Sequence, residues 1–344
     1  MNKKYFILFF LLLVVFMLGC NKIRGRTLYV YHWEDYISPD VVAKFEKKYN
    51  CKVEIDIFTI LDELNANIEK GDKVYDVIFP SSYSARQLYE KRLLRDIDHS
   101  KIPNLKNLDP VFLKKCSDPE NKYSVPYMIS FTGIAYNKNK VKDFRPSWTL
   151  FNRADLSGKT GLLNDEREVI GAASKSIGYS YNGSDDIQLR RAADIVSSWK
   201  RNKAAIGDHK DLERGLASGQ YDLIQDYNGD ALSFISEHPE IAFVLPEEGL
   251  AINLDTFAIP FASNNTDLAY AFINFFLDAE NAKDNMLYLS FMAPNLEAKK
   301  LLPQEFLNNQ AINPPDRILS KSEHIVDLGD DNEKYRKIWE SVNQ

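Results

Sequence analysis

Between Thr27 and Phe79 the apolar residues alternate between the two-residue repeat of a strand and the helical repeat of about 3.6, and this alternation constrains the fold more than any other feature. Thr27 to Trp33 is rich in aromatic and β-branched residues, as a strand requires. Ser38 and Pro39 then open a helix as N-cap and first-turn proline, and Val41, Val42, Phe45 and Tyr49 share one of its faces. Cys51 to Phe58 alternates, with Val53, Ile55 and Ile57 on one side of a second strand. A helix follows around Leu61–Glu69, and Val74–Phe79 reads as a third strand. Strands separated by helices are joined by right-handed crossovers, so this order predicts a mostly parallel sheet. Ligands of such sheets bind outside the carboxyl ends of the strands, which here carry His32–Tyr36 (HWEDY) and Pro80–Tyr83 (PSSY). A Trp face beside carboxylates suits an organic cation, because the ring quadrupole attracts positive charge and the carboxylates accept its N–H groups.

The segment 98–126 is punctuated by Pro103, Pro110, Pro119 and Pro126 and reads as a surface excursion with one short helix. Phe131–Asn137 is strand-like again and is a candidate crossing between domains. A second α/β set follows, with strands at 161–163, 221–224 and 241–245 and helices at 165–176, 185–201 and 230–238. Leu254–Pro260 is a second candidate crossing, and the helix at 267–276, with Leu268, Ala271, Phe272 and Phe275 at helical spacing, returns to the first domain. Two extended crossings between α/β lobes make a hinge, and a hinge makes a cleft. The expected division is 27–133 with 257–300 in lobe 1 and 134–256 with 301–344 in lobe 2.

Residues 1–19 have the layout of an export leader: Lys3 and Lys4, then an apolar run from Tyr5 to Leu18 too short for a spanning helix, then Gly19. The MLGC ending resembles a bacterial lipobox, which makes Cys20 the lipid anchor and 20–26 a tether. Cleavage removes Lys3 and Lys4 and no acid, moving the formal charge from −6 to −8. That balance argues against nucleic acid as a partner and suits cationic ligands. Cys51 and Cys116 have no CxxC spacing, so a zinc site is not indicated; one bridge and two separate thiols both remain open. About 325 residues remain after cleavage, more than one core usually supports, so two domains are expected.

No catalytic constellation is present. His32, His99, His209, His238 and His324 are scattered without metal-ligand spacing, Gly178–Asn182 lacks the second glycine of a nucleophile elbow, and there is no phosphate loop. Asp165 and Glu168, three apart at a helix start, are the nearest thing to an acid pair. Their spacing equally fits a capping box, in which both groups satisfy orphan N–H donors.

Several blocks carry a specific resemblance: Leu28–Ile37 (LYVYHWEDYI), Tyr75–Tyr83 (YDVIFPSSY), Asp222–Ala231 (DLIQDYNGDA), Leu254–Pro260 (LDTFAIP) and Ala293–Leu302 (APNLEAKKLL). In order and spacing they are similar to the periplasmic spermidine/putrescine-binding proteins of ABC importers, and Asn107–Phe112 and Tyr123–Asn137 fall between them in register. The resemblance implies an α/β, two-lobed substrate-binding fold of type II character, with mostly parallel sheets joined by two hinge crossings. It also implies a monomer without cofactor or metal that delivers a polyamine to an ABC permease. The family's cleft residues fall on Trp33, Glu34, Asp35, Tyr36, Ser81, Tyr83, Asp165, Glu168, Tyr227, Asn253, Asp255 and Phe291, with a further position at Ile325. Asp35 with Glu34 would take one terminal ammonium, and Asp165, Glu168 and Asp255 the other amines. Trp33, Tyr36, Tyr83 and Tyr227 would flank the methylenes, and Ser81 would add a hydrogen bond. Departures from the family pattern are Glu34 for a threonine, Asp35 for a glutamate, Tyr227 and Asn253 for indoles, Phe291 for a tyrosine and Ile325 for a glutamine. They bear on which polyamine fits best. Another organic cation, such as a basic amino acid or an opine-like compound, is the rival ligand, and a surface lipoprotein reusing the fold for adhesion or sensing is the rival function. A metal is disfavoured, since a strand points His32 away from the face of Trp33.

Overall fold

The computed structural model describes residues 26–114 and 116–343. The expected leader, the Cys20 anchor and most of the tether lie outside the described residues. The chain opens with β1 (Arg26–Trp33), α1 (Pro39–Tyr49), β2 (Cys51–Phe58), α2 (Leu61–Lys70), β3 (Val77–Ile78) and α3 (Ser82–Glu90). Local chemistry sets the ends of α1: Ser38 Oγ accepts the Val41 N–H, Pro39 occupies the first turn, and Asn50 closes the helix in the left-handed region at φ 47°. The three strands form a parallel sheet in the order β2-β1-β3, with Arg26 opposite Cys51 and Val30 opposite Val77. Central β1 buries Leu28, Val30 and Tyr31. β2 is an edge strand, and its apolar side is only partly a core face: Val53 packs on the core, whereas Ile55 and Ile57 are 37% and 48% exposed.

The proline-punctuated segment holds the expected short helix, α4 (Pro110–Leu113), and leads into β4 (Val125–Asn137). There follow β5 (Thr160–Leu163), α5 (Glu166–Ser176), α6 (Asp186–Arg201), β6 (Ala205–Gly207), α7 (His209–Ser218), β7 (Leu223–Tyr227), α8 (Asn228–Ile235), β8 (Ile241–Val244) and β9 (Ala251–Phe257). After β9 come α9 (Thr266–Phe276), α10 (Ala279–Leu289), β10 (Glu323–His324) and α11 (Asn332–Asn343). Their strands form a second sheet, β10-β9-β4-β7-β5-β6, with β8 also paired to β4. The pairings β5–β6, β5–β7 and β9–β10 are parallel, while β4 pairs antiparallel with β7, β8 and β9. β4 is long enough to pair β9 along Val125–Phe131 and then β7 and β8 along Thr132–Asn137.

The fold is therefore two-lobed, and β4 and β9 are the crossings. Core membership changes along both strands: Met128 packs in a first apolar cluster with Leu28, Phe79 and Phe272, whereas Ile129 packs in a second with Leu162, Val196 and Trp199. On β9, Leu254 belongs to the second cluster and Phe257 to the first. Leu302, Phe306 and Ile312 pack in the first cluster, although the expected division gives 301–344 to lobe 2; the chain rejoins the second cluster at Ile318.

Candidate functional site

The expected ligand residues on the strand ends converge where the lobes face each other. Trp33, Glu34, Asp35 and Tyr36 form the corner after β1, Ser81 and Tyr83 begin α3, Asp165 and Glu168 begin α5, Tyr227 ends β7, and Asn253 and Asp255 lie on the crossing strand β9.

A chain of hydrogen bonds fixes the first wall. Ser38 N–H donates to Asn285 Oδ1 at 2.8 Å, Asn285 Nδ2 to the Tyr127 hydroxyl at 2.7 Å, and that hydroxyl to the Tyr36 carbonyl at 2.7 Å. The Tyr36 hydroxyl then donates to Asp255 Oδ2 at 2.8 Å. Asp255 is held from both sides, opposite Met128 on β4 and bridged to Ser81. Trp33 leans on Phe58 with ring centroids 4.4 Å apart, and its indole N–H is buried on the side of Asp255. Burial lifts the Asp255 carboxyl to about 7, against the opposing pull of Tyr36 and Trp33.

The opposite wall answers the capping question. Asp165 Oδ1 accepts the N–H groups of Arg167 at 2.8 Å and Glu168 at 3.1 Å, so Asp165 caps α5. Glu168 does not complete a capping box: its Oε1 accepts from Asn253 Nδ2 at 2.6 Å, and its Oε2 is buried without a partner. Burial, then the Asp165 charge, push Glu168 up to about 8, and burial raises Asp165 as well. The adjacent cation is committed elsewhere. Arg167 is buried, and its guanidinium donates to the Val326 carbonyl and to the side chains of Asn332 and Asn182 at 2.9–3.1 Å. Among the described residues, no Lys, Arg or His forms an ion pair with Asp165, Glu168 or Asp255. Carboxyls left in that state attract an external cation and resist ionisation without one.

The remaining expected residues divide. Tyr83 and Tyr227 are half-buried, and the Arg167 guanidinium lies 5.8 Å from the Tyr83 ring centroid. Glu34 is half-buried, and Asp35, at φ 50°, is exposed and faces Lys210 of the other lobe at 3.7 Å. Phe291 lies behind Tyr36, edge-on at 5.3 Å, and Ile325 is buried in the second core. His32 is turned to the other side of β1, beside Phe79, where burial lowers it to about 4. Asn253 positions Glu168 through its hydrogen bond, a role no local pattern signalled. Lys210, Glu213 and Asp230 also border this region, and no motif or spacing in the sequence marks them, although Asp230 lies within Asp222–Ala231.

The lobes touch across the site. Gln87 Nε2 donates to Asp327 Oδ1 at 2.9 Å, and Leu232 of α8 packs on the first core. Two hollows of about 520 Å³ lie elsewhere, one between α1 and α10 and one behind the crossing strands beside Ile129, Phe131 and Ile252; neither is lined by an expected ligand residue. Among the described residues no group of His, Cys, Asp and Glu has a metal-holding arrangement, and Cys51 and Cys116 are separate free thiols.

A family model described as bacterial extracellular solute-binding protein matches residues 40–314. The chain is 32% identical over 321 residues to spermidine/putrescine-binding periplasmic protein 1 of Haemophilus influenzae, covering 92% of this chain and 88% of that one. Among solved structures, it superposes on the spermidine/putrescine ABC transporter substrate-binding protein of Streptococcus pneumoniae with a TM-score of 0.82 at 30% identity, covering 93% and 99% of the two chains. A lipoprotein of Treponema pallidum superposes with a TM-score of 0.83 at 29% identity, covering 92% and 99%.

Proposed function

Because the chain belongs to the bacterial extracellular solute-binding protein family, we propose that it captures polyamines between its lobes and delivers them to a membrane ABC permease. It acts outside the cytoplasm. One observation carries the ligand class: Glu168 and Asp255 are buried at 1% and 8% exposure without a cationic partner, beside Trp33, Tyr36 and Tyr227. A polyamine is a row of ammonium groups joined by methylenes. Each ammonium needs a carboxylate or carbonyl, since burying it unpaired costs several kcal/mol, and each methylene run needs an apolar wall. Asp165, Glu168 and Asp255 receive amines, the aromatic faces flank the methylenes, and each cation–π contact contributes about 0.5–2 kcal/mol. Ser81 supplies a polar contact at the floor.

The protein is non-catalytic, monomeric and held to a membrane through lipid on Cys20. The similarity to a Treponema lipoprotein and the Gly19–Cys20 junction support the anchor. The lobes divide at the middle of β4 and at Leu254–Phe257 on β9, and acids from both lobes close on one ligand.

The test is thermal shift with calorimetry over putrescine, cadaverine, spermidine, spermine, lysine and arginine. A ligand at 100 times its dissociation constant is expected to add about 2.7 kcal/mol of stability, provided only the native state binds. No shift with any polyamine would refute the reading, and a response confined to lysine or arginine would move it to amino acids.

A further inference from the structure

A second group of carboxylates adjoins the cleft on the lobe that carries α7 and β7. Glu213 on α7 and Asp226 on β7 are 5% and 0% exposed, and Glu213 Oε1 and Asp226 Oδ2 are buried without a hydrogen-bond partner. Asp230, in the first turn of α8, interacts electrostatically with both. Lys210 reaches into this group, its Nζ 3.9 Å from Glu213 Oε2 and 3.7 Å from Asp35 Oδ2 of the other lobe. His209 borders it, with Nε2 4.0 Å from Asp230 Oδ1 and Nδ1 3.8 Å from Asp208 Oδ2. Burial works against the Lys210 charge, yet Glu213, Asp230, Asp35 and Asp226 together hold its ammonium above the usual lysine value.

This cluster adjoins the proposed ligand site. Asp226 and Asp230 flank Tyr227, and the Tyr36 phenol feels Asp230 as well as Asp255. Lys210 is an ammonium on a chain of methylenes, which is the repeating unit of a polyamine. We propose that Lys210 is a resident ammonium in a terminal subsite formed by Asp35, Glu213, Asp226 and Asp230, and that it limits ligand length by denying this subsite to a further ligand amine. The inference rests on the polyamine reading and adds a specificity-determining residue to it.

Lys210→Met keeps a linear apolar side chain and removes the charge, leaving the subsite to an incoming ammonium. Its affinity for spermine, relative to putrescine and spermidine, is expected to rise about tenfold, the scale of one charge-assisted hydrogen bond. Lys210→Arg, which keeps the charge, is expected to keep the wild-type ranking. Lys210→Gln can still donate to Glu213, poses less risk to folding, and is expected to shift preference in the same direction as methionine. A crystal structure of either neutral variant with spermine should place a ligand nitrogen within hydrogen-bond distance of Glu213 or Asp226. The subsite is overturned if the affinities all change by a common factor, or if the bound chain ends short of Glu213. Failure of the wild-type protein to bind any polyamine would instead refute the function on which the inference rests.

Discussion

Asp255 and Glu168 are carboxyls whose burial holds a proton near neutrality, at about 7 and about 8. An ammonium arriving beside them favours the ionised form, so binding expels protons and affinity is expected to rise with pH from about 6 to about 8. Calorimetry in buffers of different ionisation enthalpy reads that release directly; binding without proton release would contradict the placement of these acids against the ligand. The ligand-free protein should show the opposite trend. Its native state retains protons that the unfolded chain has already lost, so the contribution of these groups to stability is full below the unfolded values near 4 and falls as pH rises towards 8. Asp255→Asn can still accept from Tyr36. It is expected to weaken binding by about 2–5 kcal/mol, to flatten the pH dependence around 7, and to melt no earlier than wild type without ligand. Early melting with unchanged affinity would make Asp255 a structural residue.

At the scale of the element, the start of α5 combines a structural and a ligand-facing role in one side chain. One oxygen of Asp165 carries both cap bonds, while the acid sits beside Glu168 in the cleft. Asp165→Ser separates the roles, since a hydroxyl still caps and the charge is gone. Binding is expected to fall while the melting temperature stays near wild type, whereas Asp165→Ala should lose binding and also about 0.5–2 kcal/mol of stability. If the serine variant kept full affinity, capping alone would describe the residue. The helix was legible because Asp165 precedes an amphipathic run. Glu168 was readable as one of an acid pair or as a capping partner, but its bond to Asn253 was not, because Asn253 lies 85 residues away in sequence and nothing local brings them together. α7 escaped sequence reading for a related reason: in HKDLERGLAS the apolar positions are few, Leu212, Leu216 and Ala217, and the burial of Glu213 among other acids reflects the approach of β7 and α8.

The whole molecule brings its lobes together through a contact that a side chain can obstruct. A Cβ on Gly229, in the first turn of α8, would come within 2.5 Å of the Phe291 ring, which belongs to the first core and is backed by Tyr36. Gly229 is helical, so alanine suits its backbone and should raise helix stability by up to about 1 kcal/mol. Gly229→Ala is therefore expected to leave the melting temperature of the ligand-free protein at or above wild type while weakening polyamine binding. Ligand-induced compaction in small-angle scattering should be reduced. Unchanged affinity and compaction would show that Phe291 yields easily and that closure does not depend on this contact.

β6, α7 and α10 carried no local signal, whereas local pattern determined the strand and helix order of the first sheet, the strands that became β4 and β9, and the aromatic and acidic corner at HWEDY. Each of these follows from side-chain periodicity, capping residues or strand chemistry within a few residues. The tertiary structure decided what those residues meet. It left Ile55 and Ile57 exposed because β2 is an edge, put Phe291 behind Tyr36, gave Asn253 to Glu168, and brought Lys210 to Asp35 across the lobes. Burial and charge pairing at a cleft are properties of two surfaces at once, and the spacing of residues along one strand or helix specifies only one of them.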